Sequence, residues 1–393
     1  MYTQSFTPIE LYRCTNQIER YNSNMSKEEL IKSIKVELGN SLSDGTYSFR
    51  LKESNGLYLN DHKRRTAGHL CQELVLRKLH RNIKHIYSIR QNDRNTIVKQ
   101  IKLLLNEDVE MRIVRLDVKH FYDSIDRSRI LSKIADDARL SYQTLSLLHS
   151  LFSNSAVATG TGLPKGLGVS ADLSELYMKC FDLGFKKIEG VYYYARYVDD
   201  IIVFCSSEKS KIEALGYAVG ELGKISLKLN EDKSYSLDPN QAGSEFTYLG
   251  YTFRKTGKKT EVIISQKKLN VIKTRIVKSF VRYSKDHDFE MLKLRVKYLT
   301  GNFTTYSPYT LLPVKVGVYF NYKMVNSLSA LDELDVFYQR LLHCRTGRLG
   351  AAVGLAYSDM KSLEKYSFRF GFDKHVRSKF TKDQIEKITN CWK

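Results

Sequence analysis

Residues 112–118 read RIVRLDV, and residues 191–204 read VYYYARYVDDIIVF. β-Branched and aromatic residues dominate both runs, which is typical of strands. Asp117 stands at the end of the first run. Asp199 and Asp200 interrupt the second run, so we predict a hairpin whose turn carries two acids. If the hairpin lies antiparallel to the first strand, all three carboxylates meet at one edge of the sheet.

Three carboxylates in one place repel each other unless a cation neutralises them or they take up protons. Hard oxygen ligands with open coordination positions suit Mg²⁺ that is completed by phosphate oxygens and water. Two such ions about 3.5 to 4 Å apart can activate a hydroxyl and stabilise a leaving oxygen, which is the chemistry of nucleotidyl transfer. The alternative is that Asp199 and Asp200 only supply turn chemistry, which aspartate does well.

The charge of the 393-residue chain points to a polyanionic partner. The formal net charge is +20, and it is unevenly distributed: residues 62–115 carry +8, residues 254–300 carry +10, and residues 117–200 carry −1. Two basic segments around a carboxylate-rich middle indicate a groove for nucleic acid, whose phosphates are neutralised on both sides. The alternative for either segment alone is a solvated basic helix face.

Several classes of protein are excluded. A hydrophobic fraction of 42% with 18 Phe and 26 Tyr provides material for a core, unlike a disordered basic tail. No run of about 18 apolar residues predicts a membrane span, and the polar start MYTQSFTPIE is unlike a signal peptide. The six cysteines form no CxxC and no tight cluster, so we expect neither a disulfide framework nor a zinc finger, and a cytoplasmic location.

Periodicity predicts the other main elements. Ser26 begins a capping box with Glu29, and Leu30, Ile34 and Leu38 follow at helical spacing. Further predicted elements are a helical region over 66–105, a strand over 225–229, a hairpin within 246–264, and a basic helix after residue 265.

Residues 160–168, GTGLPKGLG, contain four glycines in nine positions. The segment therefore predicts a loop whose backbone approaches something closely. It matches neither a P-loop nor a GxGxxG turn after a strand. A glycine-rich turn without a ligand is the alternative.

In chain order, these segments resemble the palm motifs of reverse transcriptases. The two carboxylate motifs are LDVKHFYDSI (residues 116–125) and YVDD (197–200), and GLPKGLGVSADLSELYM (162–178) is similar to the template and primer loop with its helix. LKLNEDKS (227–234) resembles the lysine-bearing motif, and FTYLGYTF (246–253) resembles the primer-grip hairpin. The resemblance covers roughly residues 60–340 and carries five motifs in the family's order.

The resemblance implies a catalytic and metal-binding set. Asp117 and Asp199 would hold two Mg²⁺ ions, with Mn²⁺ as the alternative ion, and Asp200 would complete the carboxylates. The carbonyl of Val118 would be a further metal ligand. Tyr248, Leu249 and Gly250 would form the primer grip, which holds the end of the primer.

It also implies a nucleotide-binding set. Tyr122 matches the aromatic gate that selects deoxynucleotides, and Phe121 beside it is also a candidate, with a core aromatic as the alternative that we prefer. Lys165 stands where many relatives have glutamine and would contact the incoming nucleotide, with Gly166 allowing the approach. Lys233 matches a lysine that protonates the departing pyrophosphate, the alternative being a surface lysine. Arg90 and Arg94 are candidates for binding the triphosphate.

The implied fold is the α+β right-hand polymerase with helical fingers, an antiparallel-sheet palm and a helical thumb. We expect an N-terminal helical extension over 1–55, fingers and palm over 56–253, a thumb over 254–340 and a basic extension over 341–393. The extension could contact RNA, pack on the thumb or form an oligomer interface. We expect no ribonuclease H domain among the residues after 253, because a thumb takes most of them.

Departures from the family pattern indicate a subgroup. Ala171 stands in place of the usual proline after Ser170, and Glu175 stands in place of the usual asparagine. These departures resemble the bacterial defence-associated (abortive-infection and unknown-group) reverse transcriptases. That resemblance implies a role in anti-phage defence, often with a dedicated non-coding RNA.

The sequence favours an RNA-directed DNA polymerase with an RNA template, deoxynucleotide substrates and a DNA product. Two alternatives stay open: an untemplated or protein-primed nucleotidyltransferase, and a non-catalytic RNA-binding scaffold on the same fold. The intact aspartates disfavour the scaffold, because an unused acidic cluster is costly. A protein partner or a homo-oligomer is also left open, whereas no membrane partner is expected.

Overall fold

The computed structural model describes residues 2–54, 57–60, 67–107, 109–158, 160–257, 259–306 and 313–392. The helices are α1 (Pro8–Tyr12), α2 (Gln17–Ser23), α3 (Lys27–Leu38), α4 (Ala67–Ile86), α5 (Arg94–Leu105), α6 (Phe121–Ser124), α7 (Arg127–Asp136), α8 (Tyr142–Phe152), α9 (Ser155–Ala158), α10 (Gly168–Phe185), α11 (Glu208–Lys224), α12 (Gln266–Asp286), α13 (Phe289–Thr300), α14 (Val318–Tyr322), α15 (Ser329–Leu342), α16 (Gly347–Val353), α17 (Tyr357–Glu364), α18 (Phe368–Asp373) and α19 (Lys382–Asn390). The strands are β1 (Leu51–Ser54), β2 (Leu57–Asn60), β3 (Arg112–Asp117), β4 (Val191–Tyr197), β5 (Asp200–Cys205), β6 (Tyr235–Leu237), β7 (Glu245–Tyr248), β8 (Tyr251–Thr256), β9 (Lys259–Ile264), β10 (Asn302–Tyr306) and β11 (Pro313–Gly317).

The chain divides into two compact units. The first unit comprises Met1–Arg94 with Val109–Asp238, and the second comprises Asn95–Asp108 with Pro239–Lys393. The units are defined by packing. The domain boundaries expected from the sequence stay a prediction.

An antiparallel sheet of order β4-β5-β3-β6 lies in the first unit. The strand β5 is central and apolar: Ile201, Ile202, Val203 and Phe204 are fully buried. Helix α10 packs against β4, and α11 packs against both β3 and β5. Burial on both faces explains why β5 is a continuous apolar run rather than an alternating one.

The N-terminal helices pack on α4, as α1 and α3 both contact it. The capping box predicted at Ser26 is confirmed, because its hydroxyl accepts from the amide of Glu29 and the Glu29 carboxylate accepts from the amide of Ser26. Leu30, Ile34 and Leu38 are buried as the helical spacing predicted. The N-terminal segment is therefore part of the core of the first unit.

A three-stranded antiparallel sheet of order β7-β8-β9 begins the main segment of the second unit. The predicted basic helix is α12. It buries Leu269, Ile276 and Phe280 and contacts α13, α15 and α16. This amphipathic packing leaves most of its lysines and arginines on the outer face.

The basic C-terminal extension packs within the second unit. The indole of Trp392 donates to the hydroxyl of Ser279 on α12 at 3.0 Å, and the ammonium of Lys278 donates to the carbonyl of Trp392 at 2.9 Å. The guanidinium of Arg275 lies 5.2 Å from the ring centroid of Trp392. Three roles were left open for residues 341–393. These contacts are of the kind expected for one of them, packing on the helices after residue 265.

Three predicted elements differ from the structure. The predicted strand over 225–229 is wrong: Ser226 has a φ of 58°, and only Leu229 forms a bridge, to Val118. A positive φ breaks the extended conformation that alternation alone suggested. The helical region over 66–105 is two helices, α4 and α5, and the segment 246–264 forms two successive hairpins rather than one.

Within the described residues no helix is long and apolar enough to cross a membrane.

Candidate active site

The three predicted aspartates meet at one edge of the first unit's sheet. Asp117 ends β3 and Asp200 begins β5, and the two are directly opposite in the antiparallel register. Tyr197 is paired with Asp200 across the β4–β5 hairpin, so Val198 and Asp199 form its two-residue loop. The hairpin with two acids at its turn is thereby confirmed.

Asp199 is tied to β3 through its backbone. The amide of Val118 donates to the carbonyl of Asp199 at 3.1 Å. Burial raises the pKa of the Asp199 carboxyl, and the charges of Asp200 and Asp117 raise it further. The three carboxyl groups therefore interact electrostatically, as adjacent like charges must.

Asp117 is the most buried of the three, with 4% of the residue exposed. Its Oδ1 accepts from the ammonium of Lys233 at 3.1 Å and from the side-chain amide of Asn230 at 3.1 Å. The amide of Asp117 donates to the hydroxyl of Ser234 at 3.1 Å. One short segment, 230–234, thus orients the carboxylate and places a half-exposed lysine cation on it.

Asp200 has a different cationic partner. The Nη2 of Arg115 donates to its Oδ1 at 3.2 Å, and the Arg115 guanidinium also lies 5.7 Å from the ring centroid of Tyr235. Burial raises the pKa of the Asp200 carboxyl, while Arg115 opposes that rise. Since Arg115 lies two residues before Asp117 on β3, strand alternation places both side chains on the same face.

This donor set fits a divalent cation. Among the described residues, no three Asp, Glu, His or Cys side chains are grouped as ready-made ligands, and Asp117 and Asp200 are paired with Lys233 and Arg115. A hard cation would supply the same neutralisation, and carboxylate oxygens are the ligands that Mg²⁺ prefers. The bridge between Val118 and Leu229 is flanked by two hydrogen bonds: the carbonyl of Asp117 accepts from the amide of Asn230, and the amide of Lys119 donates to the carbonyl of Lys228. These ladder bonds do not use the carbonyl of Val118.

The predicted gate Tyr122 lies close to the carboxylates. Burial raises the pKa of its phenol, a hydrogen bond with Ser174 opposes the rise, and the charge of Asp199 acts on it as well. Its ring meets that of Phe121 edge-on, with centroids 5.4 Å apart. Phe121 is 4% exposed and belongs to the hydrophobic core of the first unit. The structure thus places Phe121 as the core aromatic that we preferred for it.

The glycine-rich loop is docked against the gate segment. The amide of Leu163 donates to the carbonyl of Tyr122 at 2.7 Å, and the backbone of Gly162 lies so close that an added Cβ would overlap that carbonyl and Asp123. Gly162 is therefore required for the close approach that the sequence predicted. Lys165, the predicted nucleotide contact, forms an exposed ion pair with Asp123 at 2.6 Å.

The remaining nucleotide-binding candidates are Gly166, Arg90 and Arg94. Gly166 has a φ of 94°, which favours glycine at the end of the loop. Arg90 is exposed in the segment between α4 and α5, and Arg94 begins α5. In the same segment Asn92 donates to the carbonyl of Arg196 at 2.9 Å. This contact fastens the segment to β4, the strand that leads into the Val198–Asp199 turn.

The predicted primer grip belongs to the second unit. Tyr248 ends β7 with its side chain fully buried, and Leu249 and Gly250 form the two-residue turn to β8 with φ values of 48° and 82°. The carbonyl of Gly250 accepts from the amide of Ser265 at 3.1 Å. At this hairpin tip, Leu249 and Gly250 are partly exposed, whereas the ring of Tyr248 is fully buried.

Sequence reasoning missed three polar residues of the site: Arg115, Asn230 and Arg196. Arg115 and Arg196 each lie one residue before a recognised carboxylate motif, and Asn230 lies inside the lysine-bearing motif. A signal was present for the arginines, since a charged residue within a β-branched run of a buried strand needs a buried partner. Asn230 carries no comparable signal, because asparagine is common in turns.

One comparison with known proteins identifies a family. The model of the family "Reverse transcriptase (RNA-dependent DNA polymerase)" matches residues 53–253. A search of curated proteins finds no match. Among solved structures, the chain is similar to apo telomerase from Candida tropicalis truncated from its C-terminal domain, with 16% identity and a TM-score of 0.37 over 49% of this chain and 44% of that one. It is also similar to telomerase from Candida albicans in complex with the TWJ fragment of telomeric RNA, with 13% identity and a TM-score of 0.37 over 81% of this chain and 50% of that one.

The chain spans about half the length of these solved structures. The family model covers half of the chain and includes Asp117, Asp199 and Asp200. Together with the mixed helices and antiparallel sheets, the match confirms the predicted α+β fold class. This chain belongs to the reverse transcriptase (RNA-dependent DNA polymerase) family.

Proposed function

We propose that the protein is an RNA-directed DNA polymerase that adds deoxynucleotides to a 3′ hydroxyl or a protein hydroxyl by two-metal-ion nucleotidyl transfer. The observation that carries this proposal is the placement of Asp117, Asp199 and Asp200 at one sheet edge with mutually interacting charges. The family match supports the same activity.

In this proposal Asp117 and Asp199 hold two Mg²⁺ ions, Asp200 completes the carboxylate set and the carbonyl of Val118 is a further ligand. Ions held by these residues would supply activation of the attacking hydroxyl and stabilisation of the leaving pyrophosphate. Lys233 exchanges its partner Asp117 for the pyrophosphate and donates a proton to it. Its half-exposed position permits that movement, since 52% of its side chain is accessible.

Substrate selection is assigned to the gate and the loop. Tyr122 excludes a ribose 2′ hydroxyl, and its ring packs edge-on against Phe121. Lys165 leaves Asp123 to contact the nucleotide, with Gly166 permitting the approach. Arg90 and Arg94 are proposed to bind the triphosphate.

The proposed partners are an RNA template and a DNA product, bound by charge on basic helices such as α12. Extension of a primer annealed to RNA, with labelled deoxynucleotides and Mg²⁺, tests the activity. We expect product from the wild type and none from the Asp199→Ala, Asp200→Ala double variant. Equal product from the double variant would show that these carboxylates are not the active site.

The sequence of the product separates templated from untemplated synthesis. A copied product matches the template RNA at every position, whereas an untemplated or protein-primed transferase yields a sequence independent of it. A non-catalytic scaffold would keep its biological activity in the double aspartate variant. Each of these results would replace the proposed activity by the corresponding alternative.

We further propose a cytoplasmic role in anti-phage defence with a dedicated non-coding RNA. The support is the pattern of Ala171 and Glu175, which resembles defence-associated reverse transcriptases. Expression in a phage-sensitive bacterial strain should reduce plaque formation in an Asp199-dependent manner, and sequencing of copurified nucleic acid should reveal one dominant RNA. Unchanged plaque counts together with a mixed RNA population would contradict this role.

A further inference from the structure

A buried arginine lies directly before the catalytic turn. Arg196, on β4, has only 2% of its side chain exposed and pairs with two carboxylates of α10. Its Nη2 donates to Glu175 Oε2 at 2.7 Å and to Asp182 Oδ2 at 2.7 Å, and its Nε donates to Asp182 Oδ1 at 2.8 Å. Glu175 and Asp182 are seven residues apart, which places them on the same helix face.

The same guanidinium also holds the turn. The Nη1 of Arg196 donates to the carbonyl of Val198 at 3.0 Å, and the carbonyl of Arg196 accepts from Asn92 at 2.9 Å. Val198 has a φ of 61°, a left-handed conformation that is unfavourable for a β-branched residue. Such a conformation persists only where the surroundings over-determine it. The carbonyl of Val198 belongs to the peptide group that enters Asp199.

We propose that Arg196 is a positioning residue for the metal site: clamped by Glu175 and Asp182, it fixes the strained Val198 turn and thereby orients the carboxylate of Asp199 toward the cation. This inference rests on the proposed function, because it assigns a metal to Asp199. Arg196 does not touch the metal or the reacting atoms. It acts through the backbone of the turn.

The planar guanidinium is essential to this role. One fork reaches Glu175, Asp182 and the Val198 carbonyl simultaneously, whereas the ammonium of a lysine is a compact charge with three donors on one atom. A lysine at this position would retain the charge and lose part of the geometry. Removing an outer partner of a metal ligand typically lowers metal affinity by about 10- to 100-fold.

The test measures binding of Mn²⁺ to the full-length protein by titration, with free Mn²⁺ followed by electron paramagnetic resonance. We expect Arg196→Lys to weaken Mn²⁺ binding by about 10-fold or more. In primer extension, the same variant should need correspondingly more Mg²⁺ for half-maximal rate. Its affinity for RNA should stay that of the wild type.

The matched control is Arg77→Lys. Arg77 is 14% exposed, pairs with Glu19 and Glu73 and donates to the carbonyl of Cys14, so it makes the same kinds of contact. It lies on α4 between N-terminal helices and contacts none of the three catalytic aspartates in these pairings. Arg77→Lys should lower thermal stability and leave Mn²⁺ affinity unchanged.

Wild-type Mn²⁺ affinity in Arg196→Lys would overturn the positioning role. If this variant fails to fold, Glu175→Gln decides, because it removes one charge from the clamp and keeps the shape of the side chain. A weaker Mn²⁺ affinity in Glu175→Gln supports the inference, and an unchanged one overturns it. If the wild type itself binds no Mn²⁺, the proposed metal site fails instead, which distinguishes the two failures.

Discussion

The sheet of the first unit and helix α12 of the second unit carry positive charge in opposite ways. On the sheet, Arg115 and Arg196 are 17% and 2% exposed, and each is paired with carboxylates. On α12, Lys267, Lys268 and Lys285 lie on the exposed surface. Buried charges hold one geometry, because losing a partner leaves a costly unpaired ion. Exposed charges act through their density and are screened by salt.

Mutations should therefore separate the two regions. Changes on the sheet should abolish chemistry while RNA binding persists, and changes on α12 should weaken binding while chemistry persists at saturation.

The largest effect is expected for Asp199→Asn. Loss of a proposed metal ligand should lower the extension rate by at least about 10³-fold, which is about 4 kcal/mol of transition-state stabilisation. RNA affinity should change by less than about twofold, since Asp199 is one charge in a chain of net charge +20. A rate within tenfold of the wild type would break the contrast at its strongest point.

The same variant should be more stable than the wild type at neutral pH in the presence of a chelator. The pKa of Asp199 is raised by burial and by Asp200 and Asp117, so the protonated form is favoured in the folded state. The stability due to that shift is fully present below the ordinary aspartate pKa and is lost as pH rises through the raised value. Asparagine keeps the neutral form, so the gain in melting temperature should be present at pH 7 and should shrink as the pH falls toward about 4.

The second prediction concerns the docked glycine loop. In Gly162→Ala, the new Cβ would overlap the carbonyl of Tyr122, so the loop must shift relative to the gate. Displacement by about 1 Å near reacting groups can cost about 10²-fold in rate, so we expect a loss of that order in single-turnover extension.

Gly216→Ala is the control for this prediction. Gly216 lies within α11, and an added Cβ there would meet nothing within 4 Å. Alanine should stabilise that helix by about 0.5 to 1 kcal/mol without changing the rate. Full activity of Gly162→Ala would show that docking of the loop is not needed for catalysis.

The positions of the carboxylates could be predicted from the sequence because a run of β-branched residues shows where a strand ends, and strand ends lie at the edge of the sheet. Asp117, Asp199 and Asp200 interrupt such runs, so their convergence follows from antiparallel pairing. Their cationic partners could not be predicted in the same way. Arg196 meets Glu175 and Asp182 only because α10 packs against β4, a tertiary contact that leaves no local pattern.

The wrong prediction over 225–229 has a related cause. Alternating Ile225, Leu227 and Leu229 fit a strand, but Ile225 caps α11 and Leu227 donates to the carbonyl of Leu222. The end of the helix therefore sets the backbone conformation of these residues and prevents strand pairing. An alternating pattern of only five residues is ambiguous, because it is compatible with several backbone conformations.

The third prediction tests selectivity on the sheet side. Tyr122→Ala removes the ring that is proposed to exclude a 2′ hydroxyl, so the preference for deoxynucleotides over ribonucleotides should fall by about 10- to 100-fold. The ratio of kcat/KM for the two substrates measures this directly. Phe121→Leu is the comparison, because Phe121 is buried in the core and should affect stability more than selectivity. Unchanged selectivity in Tyr122→Ala would remove the gate from the site.

The smallest effect on chemistry is expected on α12. In Lys267→Gln with Lys268→Gln, two exposed charges are lost, and the slope of log affinity for an RNA–DNA duplex against log salt should fall by up to about 2. The rate at saturating duplex should stay within about twofold, since neither side chain is proposed to contact the reacting atoms. Lys209→Gln on α11 is the matched control, with a lysine side chain that is 82% exposed in the first unit. If the α12 variant lowers the saturated rate as strongly as it lowers affinity, its charges position the substrate rather than merely attract it, and the contrast between the two regions fails.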